Sequence, residues 1–131
     1  MLSRTARDLA DDRAVGWFQG QFGPRALGAR LILGDARSPS MQRTLNLRVK
    51  HRASFRPFAP SVLREHASDW FQIDAASPYM LMVADVVKGR RRAMSAEEQA
   101  RFGIDKLNAI RSEIPAVTHV ECASAISSAA R

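Results

Sequence analysis

Cysteine is nearly absent. Cys122 stands alone, which excludes an internal disulfide framework and a cysteine-based zinc site and suits a reducing, cytoplasmic setting. Also missing is any apolar run near the ~20 residues needed to cross a bilayer. The first residues, with Arg4, Arg7, Asp8, Asp11 and Asp12, lack the apolar segment of a signal peptide, so a soluble chain without membrane association is expected. No internal repeat is visible. Acids are scarce, 13 Asp and Glu against 20 Lys and Arg, a formal charge of +7. That excess suits an anionic partner such as a phosphorylated metabolite, a nucleotide or a nucleic acid, and it equally suits a solvated basic surface.

Apolar side chains are plentiful, 46% of 131 residues, enough for the core of one domain. Ser3 is a candidate cap for a first helix whose Ala6, Leu9 and Ala10 share a face, and Ala14 to Phe18 reads as a short buried strand. Leu31 to Leu33 is a second strand candidate. Ser38 or Ser40 then caps a helix carrying Met41, Leu45 and Val49. A short helix through Trp70 and Phe71 precedes Tyr79 to Val87, whose unbroken apolar run predicts a strand buried on both faces. Lys88 to Arg92 reads as a basic turn, Ser95 with Glu98 as a capping box opening a helix to about Ala109, and Ile114 to Val120 as a last strand. From Cys122 on, the residues are small and without pattern, and a frayed, disordered tail is expected at 121–131. Helices alternating with short buried strands point to an α/β or α+β domain.

Two segments carry the chemistry. In Phe22-Gly-Pro-Arg-Ala-Leu-Gly-Ala-Arg30, glycines permit close backbone approach to an anion and two arginines offer forked donors. A Gly-Pro turn beside surface arginines explains the same residues. In Leu45 to Pro60, Asn46 and Lys50 are four apart, which on a helix puts them on one face, and Arg52 and Arg56 follow in a loop stiffened by Phe55, Pro57, Phe58 and Pro60. Lys50 and Arg52 are also where cations oppose a helix dipole, and Phe55 and Phe58 also suit a core. His119 reads either as a polar contact to substrate or as a structural residue. Ser77 and Tyr79 read either as pocket lining or as ordinary turn chemistry.

Gly-Trp-Phe-Gln-Gly, Phe-Gly-Pro-Arg-Ala-Leu-Gly, Leu-Asn-x-x-Val-Lys, Phe-Arg-Pro-Phe-Ala-Pro-Ser-Val, Ser-Pro-Tyr-Met and Ile-Pro-Ala-Val-Thr-His-Val follow one another between Ala14 and Val120. In this order they resemble the carbamoyltransferase C-terminal domain family of the nodulation protein U and antibiotic O-carbamoyltransferase type. The resemblance implies a YrdC-like twisted mixed sheet with flanking helices, here incomplete at the C-terminus, with residues 1–120 forming a partial domain. It implies a domain that reacts carbamoyl phosphate with ATP, accompanied by Mg, to give carbamoyl adenylate, with no metal site of its own. Transfer to a hydroxyl would need an actin-like acceptor domain absent from these residues and supplied, if at all, in trans.

Matched motif by motif, Arg25, Lys50 and Arg56 resemble the family's carbamoyl-phosphate ligands, with Arg30 and Arg52 as supporting cations and Asn46, Ser77, Tyr79 and His119 as further substrate contacts. Their implied role is electrostatic: to neutralise phosphate and the charge that gathers on phosphoryl oxygens as bonds break. Relatives usually carry an acid just before Phe-Gly-Pro, and they continue after Thr-His-Val with Asp-Gly-Thr-Ala-Arg. This chain has Gly20-Gln21 at the first place and Glu121-Cys-Ala-Ser-Ala125 at the second, so Ala125 stands where an arginine is expected. A frameshift or early stop near Glu121 would account for the change and leave an inactive remnant. The rival reading is a basic nucleic-acid-binding module centred on Lys88 to Arg92, the less expected of the two.

Overall fold

The computed structural model describes residues 1–19 and 30–129. A short amphipathic helix, α1 (Leu2–Ala10), leads into β1 (Val15–Phe18), which pairs antiparallel with β2 (Arg30–Leu33), Val15 facing Leu33 and Phe18 facing Arg30. Both strands alternate half-buried and exposed residues, as a two-stranded ribbon packed on one side must. Met1 is the N-cap residue of α1, and no side chain caps the helix. The expected Ser3 cap is not formed.

After β2 the chain turns sharply against the next helix, α2 (Met41–Thr44). Gly34 makes that approach possible: a Cβ there would lie 2.7 Å from Cγ and Sδ of Met41. Ser38 serves the start of α2, its Oγ accepting the backbone N–H of Met41 at 3.2 Å. Helix α2 does not continue as an α-helix. It widens into a π-turn at Leu45–Val49, in which the Lys50 N–H reaches the Leu45 carbonyl at 2.9 Å. Then come β3 (Ser61–Leu63), a 3₁₀ turn at Arg64–His66, α3 (Ala67–Trp70), β4 (Met82–Asp85), a 3₁₀ turn at Lys88–Arg90, α4 (Ala96–Ala100), α5 (Gly103–Leu107) and β5 (Ala123–Ala129).

Strands β3, β5 and β4 form a mixed sheet in that order, β3 parallel to β5 and β4 antiparallel to it. The architecture is α+β, small sheets with short helices, as expected. Its core gathers Phe71, Val86, Ile114, Val117 and Ile126, all nearly inaccessible. A smaller cluster of Met41, Leu45 and Ala116 sits under α2, and Phe58 packs against both clusters. Among the described residues no helix is long and apolar enough to cross a membrane.

Several expected elements take another form. The stretch 121–131 is not a frayed tail throughout, because Ala123–Ala129 is the central strand of the mixed sheet and Ile126 is fully buried. Pairing on both sides compensates for its weak local preference for extended backbone. Ile114 to Val120 is not a strand. It is held as a turn by buried hydroxyls: Ser112 and Thr118 are 2.7 Å apart, Thr118 donates to the Ile114 carbonyl, and Ser124 donates to the Val117 carbonyl. The run from Tyr79 yields only β4, since Met80 adopts φ 55°, and β4 lies at a sheet edge with Met82 and Val83 exposed. The Ser95–Glu98 capping box forms as expected, but extended backbone at Arg101 and Phe102 divides the following helix in two.

Candidate functional site

Among the described residues, a cleft of about 840 Å³ opens between β2, the π-turn, the Tyr79–Val83 segment and the start of β5. That volume lies in the range of small-molecule sites, roughly 300–1,000 Å³. Arg30, Lys50, Arg52 and His119 line it, together with the apolar side chains of Ile32, Val49, Met80 and Val83.

The π-turn is what delivers the cations. One extra residue per turn leaves a wide helix end, closed by His51 in the left-handed region at φ 49° and by the Arg52 N–H bonding back to the Asn46 carbonyl at 3.0 Å. Lys50 and Arg52 thereby leave the helix end toward the cleft. Asn46 and Lys50, expected to share a face, part company: Asn46 is completely buried and Lys50 is exposed. The reason is that Lys50 already caps the π-turn.

Asn46 does not reach the cleft but governs a residue that does. Its Nδ2 donates to the carbonyls of Ser54 and Arg56, at 3.0 and 2.8 Å, which leaves Oδ1 as the acceptor for Arg52 Nε at 2.6 Å. The Arg52 guanidinium also lies 4.9 Å from the centre of the Phe58 ring. With one edge on an amide and one face on an aromatic ring, Arg52 is a held cation and not a roaming one. Phe58, read from sequence as either core or support, does both.

The remaining expected residues separate. Tyr79 lines the cleft and is 68% exposed. Arg56 is exposed and does not line it, contributing its carbonyl to Asn46 instead. Ser77 is buried and donates from Oγ to the Ile126 carbonyl at 2.9 Å, tying the segment before β4 to β5. Arg25 lies outside the described residues.

Sequence reasoning missed the apolar wall and Glu121, an acid on the cleft rim. It sits two residues after His119, in a tight turn where the Cys122 N–H bonds the His119 carbonyl and the His119 N–H bonds the Ala123 carbonyl, both at 2.9 Å. Cys122 has φ 59° there. This is the place of the glycine in Asp-Gly-Thr-Ala-Arg, and a side chain in left-handed backbone costs about 1–2 kcal/mol. Ala125, where that pattern has arginine, is exposed and lines the cleft. Among the described residues no group of three or more His, Cys, Asp or Glu could hold a metal ion.

The chain is 53% identical over 123 residues to an uncharacterized protein of Synechocystis, a match covering 92% of this chain and 20% of that protein. It is 42% identical over 101 residues to the nodulation protein NolNO of Sinorhizobium fredii, covering 73% of this chain and 15% of the relative. It is 44% identical over 82 residues to nodulation protein U of the same organism, covering 61% and 14%. The chain thus spans a fifth or less of the length of these relatives. The family model for the carbamoyltransferase C-terminus matches residues 6–129, from α1 through β5, and the chain belongs to that family.

Proposed function

We propose that the cleft binds carbamoyl phosphate, with the phosphate among Arg30, Lys50 and Arg52, and that it does so for the formation of carbamoyl adenylate. The observation that carries this reading is the meeting of three cations from two separate segments on one partly apolar cleft, in a chain of this family. Arg52 meets a phosphate with little loss of side-chain freedom, because Asn46 and Phe58 already orient it. Lys50 and Arg30 contribute charge. His119 offers a polar contact suited to the carbamoyl end, and Arg25 and Arg56 are further proposed ligands.

ATP is the proposed second substrate: water would release phosphate from carbamoyl phosphate, and an oxygen of the resulting carbamate would attack the α-phosphorus of ATP, expelling pyrophosphate and leaving carbamoyl adenylate. The wall of Ile32, Val49, Tyr79 and Met80 fits an apolar base. With no metal-holding cluster among the described residues, Mg would arrive on the nucleotide phosphates. The chain's own contribution is binding, orientation and neutralisation of phosphoryl charge. Transfer to an acceptor hydroxyl is assigned to a second domain, of the kind that the greater length of the relatives leaves room for.

Calorimetric titration of carbamoyl phosphate at fixed low salt tests the reading. Wild-type binding should weaken about tenfold or more in Lys50→Ala and in Arg52→Ala, the worth of one charge-assisted hydrogen bond. No binding by a folded wild-type chain, or equal binding by all three proteins, overturns it.

A further inference from the structure

A second, smaller cavity of about 200 Å³ lies on the other side of the α2–π segment, between α2 and the chain that leaves α5. Arg43 and Arg111 line it, with Asn108 and Thr118 between them. Arg111 is 7% exposed, yet its guanidinium meets no carboxylate among the described residues. Nη1 donates to the carbonyls of Leu107 and Ala109, at 3.2 and 3.0 Å, and Nη2 donates to that of Lys106. These bonds close the end of α5 and satisfy hydrogen-bonding capacity, but carbonyls bring no net negative charge to a nearly buried cation.

Nε of Arg111 has no partner among the described residues. Arg43, exposed on α2, likewise makes no ion pair with a described residue. The Asn108 side chain has no described partner either. Two unneutralised guanidinium groups and a spare amide therefore border one small polar cavity.

We propose that this cavity binds a small free oxyanion of phosphate size, separately from the cleft. At about 200 Å³ it holds several times the ~30 Å³ share of one water molecule, which suits a tetrahedral oxyanion and is too small for a nucleotide. Arg111 supplies a fixed donor and Arg43 the mobile charge that closes over the ligand. Thr118 borders this cavity and its neighbour His119 borders the cleft, so a single stretch of backbone separates the two anion positions.

Inorganic phosphate titrated at constant ionic strength, followed through the Arg111 Nε–H and Asn108 side-chain resonances, decides the matter. These signals should move in wild type and equally in Lys50→Ala. In Arg43→Ala, an exposed substitution by a good helix former, they should require about tenfold more phosphate. Absence of movement in wild type, insensitivity to Arg43→Ala, or loss of movement in Lys50→Ala each overturns the proposal. ATP in place of phosphate should leave both signals unmoved, and equal movement with ATP would reassign the site to a nucleotide. Failure of the cleft reading leaves this outcome unaffected, because the Lys50→Ala arm separates the two.

Discussion

Arg90, Arg91 and Arg92 each meet a carboxylate of their own chain, Glu113, Asp85 and Glu98 respectively, whereas Arg30, Lys50 and Arg52 pair with none among the described residues. Both regions gather basic residues, the first as one run at 88–92 and the second from two separate segments, so by composition alone the 88–92 segment is the denser. Arg90 is further occupied by the Trp70 ring, 3.9 Å from its guanidinium carbon, and Arg91 by the Val86 carbonyl. The turn has spent its charge on folding. In the cleft no carboxylate of the described residues pairs with the cations, and Arg52 is held by the neutral Asn46 side chain and the Phe58 ring. The difference teaches that a basic cluster is informative when its counter-ions are absent, not when its lysines and arginines are many.

The contrast breaks most severely at Asn46. Asn46→Ala removes three hydrogen bonds and leaves the part-buried carbonyls of Ser54 and Arg56 without their amide donor, a loss of about 2–3 kcal/mol and a fall in Tm of about 10 °C. Arg52 is released as well, so phosphate binding in the cleft should weaken even where the chain remains folded. A melting curve that overlays wild type sinks the claim that Asn46 organises this side of the molecule.

A change of about half that size is expected from Arg90→Ala, which loses the contact with Trp70 for about 1 kcal/mol. Anion affinity should be untouched, and a drop in affinity comparable to that of Lys50→Ala would erase the distinction between the two regions. The smallest effect is in pH. Ser95's backbone N–H, with Arg92 and Arg101 nearby, holds the Glu98 carboxyl below its usual range, and the Arg37 side chain does the same for Asp35. Groups depressed in the folded state contribute stability that is present above their unfolded pKa, near 4 for a carboxylate, and lost as pH falls through the lower folded value. Acid should therefore erode Tm slightly less in Glu98→Gln than in wild type. Identical acid profiles would show that the box at the start of α4 adds nothing measurable.

Much of the local structure was legible in the sequence because it depends on local physics. The β1 and β2 strands follow from short apolar runs bounded by glycine and acid, and the Ser95–Glu98 box follows from spacing alone. What depends on distant partners was not legible. Ala123–Ala129 has the composition of a loop and becomes a strand through neighbours roughly 40 and 65 residues earlier in the chain. Ile114 to Val120 has the composition of a strand and becomes a turn through the hydroxyls of Ser112, Thr118 and Ser124. At the site, Lys50, Arg52, Arg30, Tyr79 and His119, all singled out from the sequence, line one cleft. The burial of Asn46 and Ser77 was not legible, since polar side chains turn inward only when the fold offers them carbonyls.

Strands β3 and β4 both pair through β5 and not with each other, although β5 comes after both in the chain. During synthesis they must wait, with open edges and apolar faces, until residues 123–129 leave the ribosome. The long sequence separations also make sheet closure a late event, governed by loop-closure entropy. The timing of emergence thus makes a short run of alanines and serines the keystone of the sheet, and until it appears the inner edges of β3 and β4 stand open.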